Sequence, residues 1–337
     1  AAGYRTSHMG KWHLSGGARP NHFVSPYFRP GWDDWTGWEN SNEPLATTYS
    51  TGDVPFPRRT MTGYQTDEVT DWTLAWLDRQ DGRQPWFHVM SVEPPHPPNI
   101  APASYLAQYA SQALVLRDNV PRHSPRLAQY ERDLRGYYAQ IANLDHNLGR
   151  VLEHLASIGQ LDQTMIWYFS DHGDLMGSHD RHGKSRPEEE SSGIPLIIRW
   201  PGVVPAGTVS QALISVMDFM PTLLGALDLA VPASVQGKDL SACLRDPTAA
   251  GDDALLLAYE STFWPETPGS VYRGIRQGPW KLVRWLMPGH DQLFHLEDDP
   301  MELHNLIDQA DRQATIKHLE ACLQQRLASC HDDFFQR

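Results

Sequence analysis

Short apolar segments alternate with amphipathic segments along the first 260 residues. The apolar segments predict strands, at residues 86–92, 164–169, 194–200 and 255–259. Apolar positions spaced by three and four predict helices, from residue 66 onward and at residues 127–158 and 216–228, and Gly159 ends the longest of them. Such alternation is typical of a mostly parallel central sheet with helices on both faces.

The pattern changes after about residue 253. Residues 271–285 alternate around Gly278-Pro279, which predicts an antiparallel hairpin, and residues 292–296 and 311–329 predict a strand and a final helix. We therefore predict a catalytic α/β domain over residues 1–252 and a small C-terminal α+β subdomain with antiparallel strands over residues 253–337. Residues 21–65 are rich in aromatic residues, proline and glycine without clear periodicity, which favours a long ordered loop.

Composition and net charge argue against some classes of binding partner. Hydrophobic residues make up 40% of the 337 residues, which is ordinary for a globular protein. The net charge of −13 argues against nucleic acid, and no apolar run is long enough to cross a bilayer. An anionic substrate would therefore need a local cationic pocket. Three sparse cysteines leave the compartment undecided, and the oligomeric state stays open.

The densest polar cluster, Ser170-Asp171-His172-Gly173-Asp174, directly follows a predicted strand. In α/β sheets, ligands bind beyond the carboxyl ends of strands. The Asp171 carboxylate and the His172 imidazole could hold a divalent cation there, although an ordinary polar loop is the alternative. The cationic and acidic residues that follow favour a site: His179, Arg181, His182, Lys184 and Glu188 to Glu190.

Two further segments carry chemistry. Lys11 and His13 are two residues apart, so on an extended segment both would point to one side and suit an oxyanion. His96 lies in a turn stiffened by four prolines after a predicted strand. An exposed lysine and inconsequential histidines are the alternatives for these segments taken singly. Residues 4–20 suggest a strand edge that runs into a loop, so all three clusters lie at or near a predicted strand terminus, and we expect them to form one pocket for a tetrahedral anion.

Three motifs resemble the sulfatase family within the alkaline phosphatase superfamily. Residues 3–14 resemble the second characteristic motif of that family, and Glu93-Pro94-Pro95-His96-Pro97 resembles its Pro-His-x-Pro turn. The segment from Phe169 through Lys184 to Ser191 resembles its metal-and-lysine segment, and the tail from Trp280 to Leu306 is similar to its C-terminal subdomain. The resemblance covers nearly the whole chain.

This resemblance implies a sulfuric ester hydrolase that cleaves small-molecule or carbohydrate sulfate esters. Asp171 and His172 would bind one divalent metal ion, for which the family favours calcium, with manganese, magnesium or zinc as alternatives. Lys11 and Lys184 would bind the sulfate oxygens, and His13 and His96 would act around the nucleophile and the leaving group. His179 and Glu189 would support the site. The family also implies a periplasmic or extracellular location.

The sequence departs from the family at its start. Sulfatases of this type begin with a strand that ends in paired metal-binding aspartates, followed by a Cys- or Ser-x-Pro-x-Arg motif whose first residue becomes the formylglycine nucleophile. Neither motif occurs here, and Asp33-Asp34 follows no predicted strand. We therefore expect an N-terminally truncated and inactive fragment. The alternatives are a phosphate or phosphonate monoester hydrolase of the same superfamily and a non-catalytic fragment that binds anions only.

Overall fold

A computed structural model describes residues 2–15, 22–260 and 271–336. The chain forms two compact units. The first comprises Ala1–Val115 and Pro125–Thr164, and the second comprises Leu116–Ser124 and Met165–Arg337. The predicted domain boundary after residue 252 lies inside the second unit and stays a prediction.

The first unit contains five strands, namely β1 (Arg5–Lys11), β2 (Asp34–Trp38), β3 (Thr48–Thr51), β4 (Arg59–Thr60) and β5 (Trp86–Ser91). They form one sheet in the order β4-β3-β2-β1-β5. Strand β1 pairs in parallel with β2 and β5, whereas β3 pairs antiparallel with β2 and β4. This sheet is therefore mixed, and the prediction of a mostly parallel sheet is wrong at β3 and β4, where the pairing is antiparallel.

The prediction of a long loop over residues 21–65 is also wrong, because β2, β3 and β4 lie within it. In β2 the buried positions include Trp35 and Gly37. A Cβ atom on Gly37 would lie 2.2 Å from the carbonyl oxygen of Gly10 in β1, so only glycine allows the two strands to approach. Glycine adds nothing to a hydrophobic pattern, and the alternation was therefore not visible in the sequence.

The described part of the first unit also contains the α-helices α1 (Gln65–Leu77), α2 (Ala103–Tyr109) and α3 (Leu127–Ser157). Helix α1 packs on β1 and β5, and α3 packs on α1 and α2. The Asp67 carboxylate of α1 accepts hydrogen bonds from the fully buried amides of Asn143 and Asn147, at 2.8 and 2.7 Å. The helices predicted near Thr66 and over 127–158 are confirmed.

The second unit begins with β6 (Ile166–Phe169), which pairs antiparallel with β7 (Leu196–Arg199). The connection between them contains the short helix α4 (Glu189–Ser192). We expected two strands of a parallel sheet with their carboxyl ends side by side. In the structure the two strands are antiparallel, so the carboxyl end of β6 lies beside the amino end of β7, and Phe169 pairs with Leu196.

The rest of the second unit is an α+β layer. After helices α5 (Phe219–Ala226) and α6 (Ser241–Arg245), four strands form an antiparallel sheet in the order β11-β10-β9-β8. These strands are β8 (Leu255–Tyr259), β9 (Tyr272–Gln277), β10 (Trp280–Trp285) and β11 (Gln292–His295), and helix α7 (Gln313–Ser329) packs on β9 and β10. The predicted C-terminal antiparallel strands and final helix are confirmed.

The core of this layer is aliphatic. Helix α7 buries one stripe of leucines against the sheet, and the residues that meet there are Ile275, Leu282, Leu293, Leu319, Leu323 and Leu327. Burial of each such side chain contributes roughly 1.5–3 kcal/mol. The packed core therefore makes the C-terminal sheet a rigid element for the residues that contact it. Within the described ranges, no helix combines the length and apolar character needed to cross a bilayer.

Candidate active site

The Asp171–His172–Lys184 cluster lies just beyond the end of β6. His172 Nδ1 lies 2.8 Å from the carbonyl oxygen of Gly173, to which it donates, so that Nε2 carries the lone pair. The Lys184 ammonium donates to this Nε2 at 2.8 Å. Asp171 Oδ2 lies 3.4 Å from the same nitrogen, and Asp171 Oδ1 accepts the backbone N–H of His172 at 2.9 Å. The structure therefore places a carboxylate, an imidazole and an ammonium together.

The turn at Gly173 holds this cluster against α4. The Gly173 N–H donates to the carbonyl oxygen of Ser191 at 2.9 Å. A Cβ atom on Gly173 would lie 2.0 Å from the carbonyl oxygen of Glu190, so the backbones can approach only because residue 173 is glycine. Helix α4 is thus in direct contact with the segment that carries Asp171 and His172.

The loop between His172 and Lys184 has an unusual backbone. Three of its non-glycine residues have positive φ angles, namely Met176 (43°), His179 (54°) and Asp180 (59°), and so does Ser185 (71°), directly after Lys184. Each such residue costs on the order of 1–3 kcal/mol and persists only where its surroundings fix it. Asp174 supplies part of that constraint, since its Oδ1 accepts the N–H groups of Met176 and Gly183 at 2.9 and 3.1 Å.

His179 lies against a buried asparagine. The His179 N–H donates to the Asn119 carbonyl oxygen at 2.9 Å, and the Asn119 side-chain amide lies 3.2 Å from His179 Nε2. The same amide donates to Glu190 Oε1 at 2.7 Å. Burial opposes ionisation of Glu190, but the hydrogen bond from Asn119 and the charge of Arg117 outweigh it and lower the pKa of Glu190. Nothing in the sequence around Asn119 indicates this role, because its partners lie about 60 residues away.

Glu189 belongs to a different group, a network with the C-terminal sheet. Its Oε1 lies 2.9 Å from the Lys281 ammonium, and its Oε2 lies 3.0 Å from Arg276 Nη1. Lys281 is fully buried. Lys281 stands between the apolar residues Trp280 and Leu282 of β10, which is a sequence signal of a buried lysine with a partner, and this role was not predicted.

Lys11 and His96 approach a common residue, Glu93, in the first unit. The Lys11 ammonium lies 3.1 Å from Glu93 Oε1, with the side chains 15% and 5% exposed. The Glu93 carbonyl oxygen accepts the N–H of His96 at 3.1 Å, and Gln65 Nε2 donates to Glu93 Oε2 at 3.3 Å. His96 Nδ1 lies 2.6 Å from the Pro97 carbonyl oxygen, which fixes its tautomer.

The geometric premise that paired Lys11 with His13 is not met. His13 has φ 58°, so the backbone is not extended there and the two side chains do not follow the alternation of a strand. His13 is exposed, whereas Lys11 is half-buried. The expected convergence of the clusters on one pocket stays a prediction.

The donor set supports a metal only in part. Asp171 and His172 are suitable ligands, and the Asp171 side chain is 81% exposed. The lone pair of His172 Nε2, however, already faces Lys184. Across residues 2–15, 22–260 and 271–336, no three His, Cys, Asp or Glu side chains are grouped so that they could hold a metal ion. Because a divalent cation needs several hard ligands, the described residues do not form a complete metal site.

Comparison with known proteins identifies the family. Residues 1–229 match the Sulfatase family model, and residues 177–329 match the model named N-sulphoglucosamine sulphohydrolase, C-terminal. The chain belongs to the sulfatase family, whose members typically use a divalent metal. This confirms the family predicted from the three motifs.

Individual relatives agree in sequence and fold. The chain is 29% identical over 343 residues to an ulvan-active sulfatase of Formosa agariphila, covering 100% of this chain and 66% of that protein. The putative sulfatase yidJ of Bacteroides fragilis has the same fold, with a TM-score of 0.90 at 24% identity over 99% of this chain and 76% of the other. A phosphonate monoester hydrolase of Agrobacterium radiobacter matches with a TM-score of 0.75 at 23% identity, over 97% and 78%. The chain spans between 36% and 66% of the length of the first curated relatives it matches.

Proposed function

We propose that the protein hydrolyses sulfate monoesters, with the Asp171–His172–Lys184 cluster as part of its anion site. The observation that carries the proposal is the contact of Lys184 Nζ with His172 Nε2 at 2.8 Å, beside the Asp171 carboxylate. Both segments lie within the part of the chain that matches the sulfatase family model. An ammonium held in this way suits an oxyanion, since it provides fixed positive charge where sulfate oxygens would lie.

The roles of the individual residues follow from their motif positions. Lys184 and Lys11 bind the sulfate oxygens and offset the charge that develops as the nucleophile, the formylglycine hydrate that the family implies and this sequence lacks, bonds to sulfur and the ester bond between sulfur and oxygen breaks. His96 or His13 gives a proton to the departing alkoxide. Asp171 and His172 are the residues that would hold a divalent cation, for which we propose calcium, and a bound cation would supply Lewis-acid stabilisation of the sulfate oxygens.

We propose carbohydrate sulfate esters as the substrate class. The relative from Formosa agariphila is described as active on ulvan. The sequence offers Trp32, Trp35 and Trp38 as rings that could stack on sugars. Trp35 and Trp38 are buried in the structure, which leaves the half-buried Trp32 as the candidate. A periplasmic or extracellular location is proposed from the family alone.

A phosphate or phosphonate monoester hydrolase is the second candidate. The fold is shared with a phosphonate monoester hydrolase over 97% of this chain. Kinetics of the full-length protein on matched 4-nitrophenyl sulfate, phosphate and phenylphosphonate esters separate the two candidates. A higher kcat/KM for the sulfate supports the proposal. A higher kcat/KM for either phosphorus ester contradicts it, and so does the absence of hydrolysis with all three esters.

A further inference from the structure

Side-chain contacts hold residues 186–190 of the second unit in place. The Arg186 guanidinium lies 4.5 Å from the centre of the Trp285 ring, and Arg186 Nη2 donates to Glu188 Oε1 at 3.2 Å. The contacts of Glu189 and Glu190 are described above. This clamp, residues 186–190, begins two residues after Lys184 and includes the start of α4.

Lys281 contacts two residues of the clamp and also contacts Glu302. Its ammonium lies 2.7 Å from the Pro187 carbonyl oxygen, 2.9 Å from Glu189 Oε1 and 2.6 Å from Glu302 Oε1. An ammonium has three N–H donors, and here all three have acceptors. Because Lys281 is fully buried, the loss of any one acceptor would leave a donor without water to replace it.

Glu302 contacts both the clamp and Lys281. Its Oε2 accepts the backbone N–H of Glu189, the first residue of α4, at 2.6 Å, while its Oε1 receives Lys281. Glu302 itself has φ 52° and is buried. One carboxylate therefore fixes both the start of α4 and the ammonium that holds Pro187 and Glu189.

We propose that Lys281 and Glu302 are positioning residues for the Asp171–His172–Lys184 cluster. Helix α4 connects these two residues with the cluster. It contacts Gly173, which follows His172, and its first residues belong to the clamp, which begins two residues after Lys184. The antiparallel sheet thus acts on the anion site through one lysine and one glutamate. The strained loop between His172 and Lys184 needs such an external support to keep its geometry. The inference rests on the proposed function, in which that cluster binds the sulfate.

The test compares three variants with one matched control. Glu302→Ala removes both acceptors, Glu302→Gln keeps an acceptor for the Glu189 N–H, and Lys281→Met removes the ammonium. The control is Arg273→Met in β9, because Arg273 is also a buried cation that pairs with two carboxylates, at 2.6 Å to Asp332 and 2.9 Å to Glu260. A general loss of stability would affect the control and the variants alike.

Two measurements on the full-length protein are compared below the melting temperature of each variant. Hydrogen exchange at the amides of residues 173, 186 and 188–192 reports the geometry of the segment, and calorimetric titration with inorganic sulfate reports the affinity of the anion site. Glu302→Ala and Lys281→Met are expected to exchange faster at these amides and to bind sulfate about 10- to 100-fold more weakly. Glu302→Gln should recover most of the affinity, and Arg273→Met should match the wild type in both measurements.

The outcomes separate this inference from the proposed function. Wild-type exchange and wild-type sulfate affinity in both Glu302→Ala and Lys281→Met would overturn the positioning role. If Lys281→Met does not fold, the comparison of Glu302→Ala with Glu302→Gln decides alone. Lys184→Ala reports on the function itself. If Lys184→Ala binds sulfate as the wild type does, the proposed function fails, whereas the exchange data still judge the positioning.

Discussion

The Lys184 ammonium and the His172 imidazole are in direct contact, with 2.8 Å between Nζ and Nε2. The two residues are twelve positions apart, and the loop between them contains three non-glycine residues with positive φ. Since such a loop does not form by local preference, the contact depends on the support that α4 and Asp174 give it.

Gly10 is the first position at which a small change should disturb the site. A Cβ atom there would lie 1.8 Å from the Ser91 carbonyl oxygen, and Gly10 has φ 120°. Gly10→Ala should therefore separate β1 from β5 beside Lys11 and destabilise the protein by about 3 kcal/mol or more. Urea unfolding measures this change.

Gly31→Ala is the matched control for that variant. Gly31 also has a positive φ of 90°, but a Cβ atom there meets no atom within 4 Å. It should cost only the backbone penalty, about 1 kcal/mol. Equal losses in the two variants would show that the contact between Gly10 and Ser91 has no steric effect.

Two buried histidines should make the protein sensitive to acid. Burial lowers the pKa of His8 to about 3 and the pKa of His88 to about 4. Both pKa values are near 6.5 in the unfolded chain, so the stability that the neutral rings contribute is present above pH 6.5 and is lost as the pH falls toward 4 and 3. His8→Phe should reduce the loss of unfolding free energy between pH 7.5 and pH 5 by about 2 kcal/mol.

The control for this pH effect is His290→Gln, an exposed histidine in a turn. Its loss of unfolding free energy over the same pH range should equal that of the wild type. A His8→Phe protein that loses as much stability as the wild type on acidification would contradict the assignment of a buried neutral ring.

Glu302 should have the opposite pH dependence. Burial raises its pKa to about 7 against the attraction of Lys281, from about 4.5 in the unfolded chain. The protonated form is then favoured by folding, so its contribution is present below pH 4.5 and is lost as the pH rises through 7. Relative to the wild type, Glu302→Gln should therefore gain up to about 3 kcal/mol of unfolding free energy between pH 4.5 and 8.

Urea unfolding at several pH values measures that difference, with the exposed Glu297→Gln as control. The difference in unfolding free energy between this control and the wild type should be the same at every pH. The prediction is wrong if the difference between Glu302→Gln and the wild type does not change with pH.

The helices and the C-terminal strands were predictable because their signals are local. The apolar spacing over residues 127–158 and the alternation around Gly278-Pro279 each reflect one element packing on one core. Strand direction was not predictable, because the antiparallel pairing of Phe169 with Leu196 depends on contacts that a periodic pattern does not carry. Strand β2 was not predicted because Gly37, one of its buried positions, adds nothing to the hydrophobic pattern of the sequence.

The candidate site was predictable to the level of motifs. Asp171, His172 and Lys184 were chosen from the sequence, and the structure places them in contact. Their supports could not be chosen. Glu302 lies 118 positions from Lys184 along the chain, and its effect passes through a backbone N–H of Glu189, a contact without any sequence signature.

Hydrolysis of an aryl sulfate by the full-length protein tests the central claim most directly. Steady-state kcat/KM is compared for the wild type, Lys184→Ala and Asp171→Ala, with Lys238→Ala as a lysine control that pairs with Asp252 outside the cluster. We predict that both cluster variants lose at least about 100-fold in kcat/KM and that the control keeps its activity. Activity in both cluster variants equal to that of the wild type would contradict the assignment of the sulfate site.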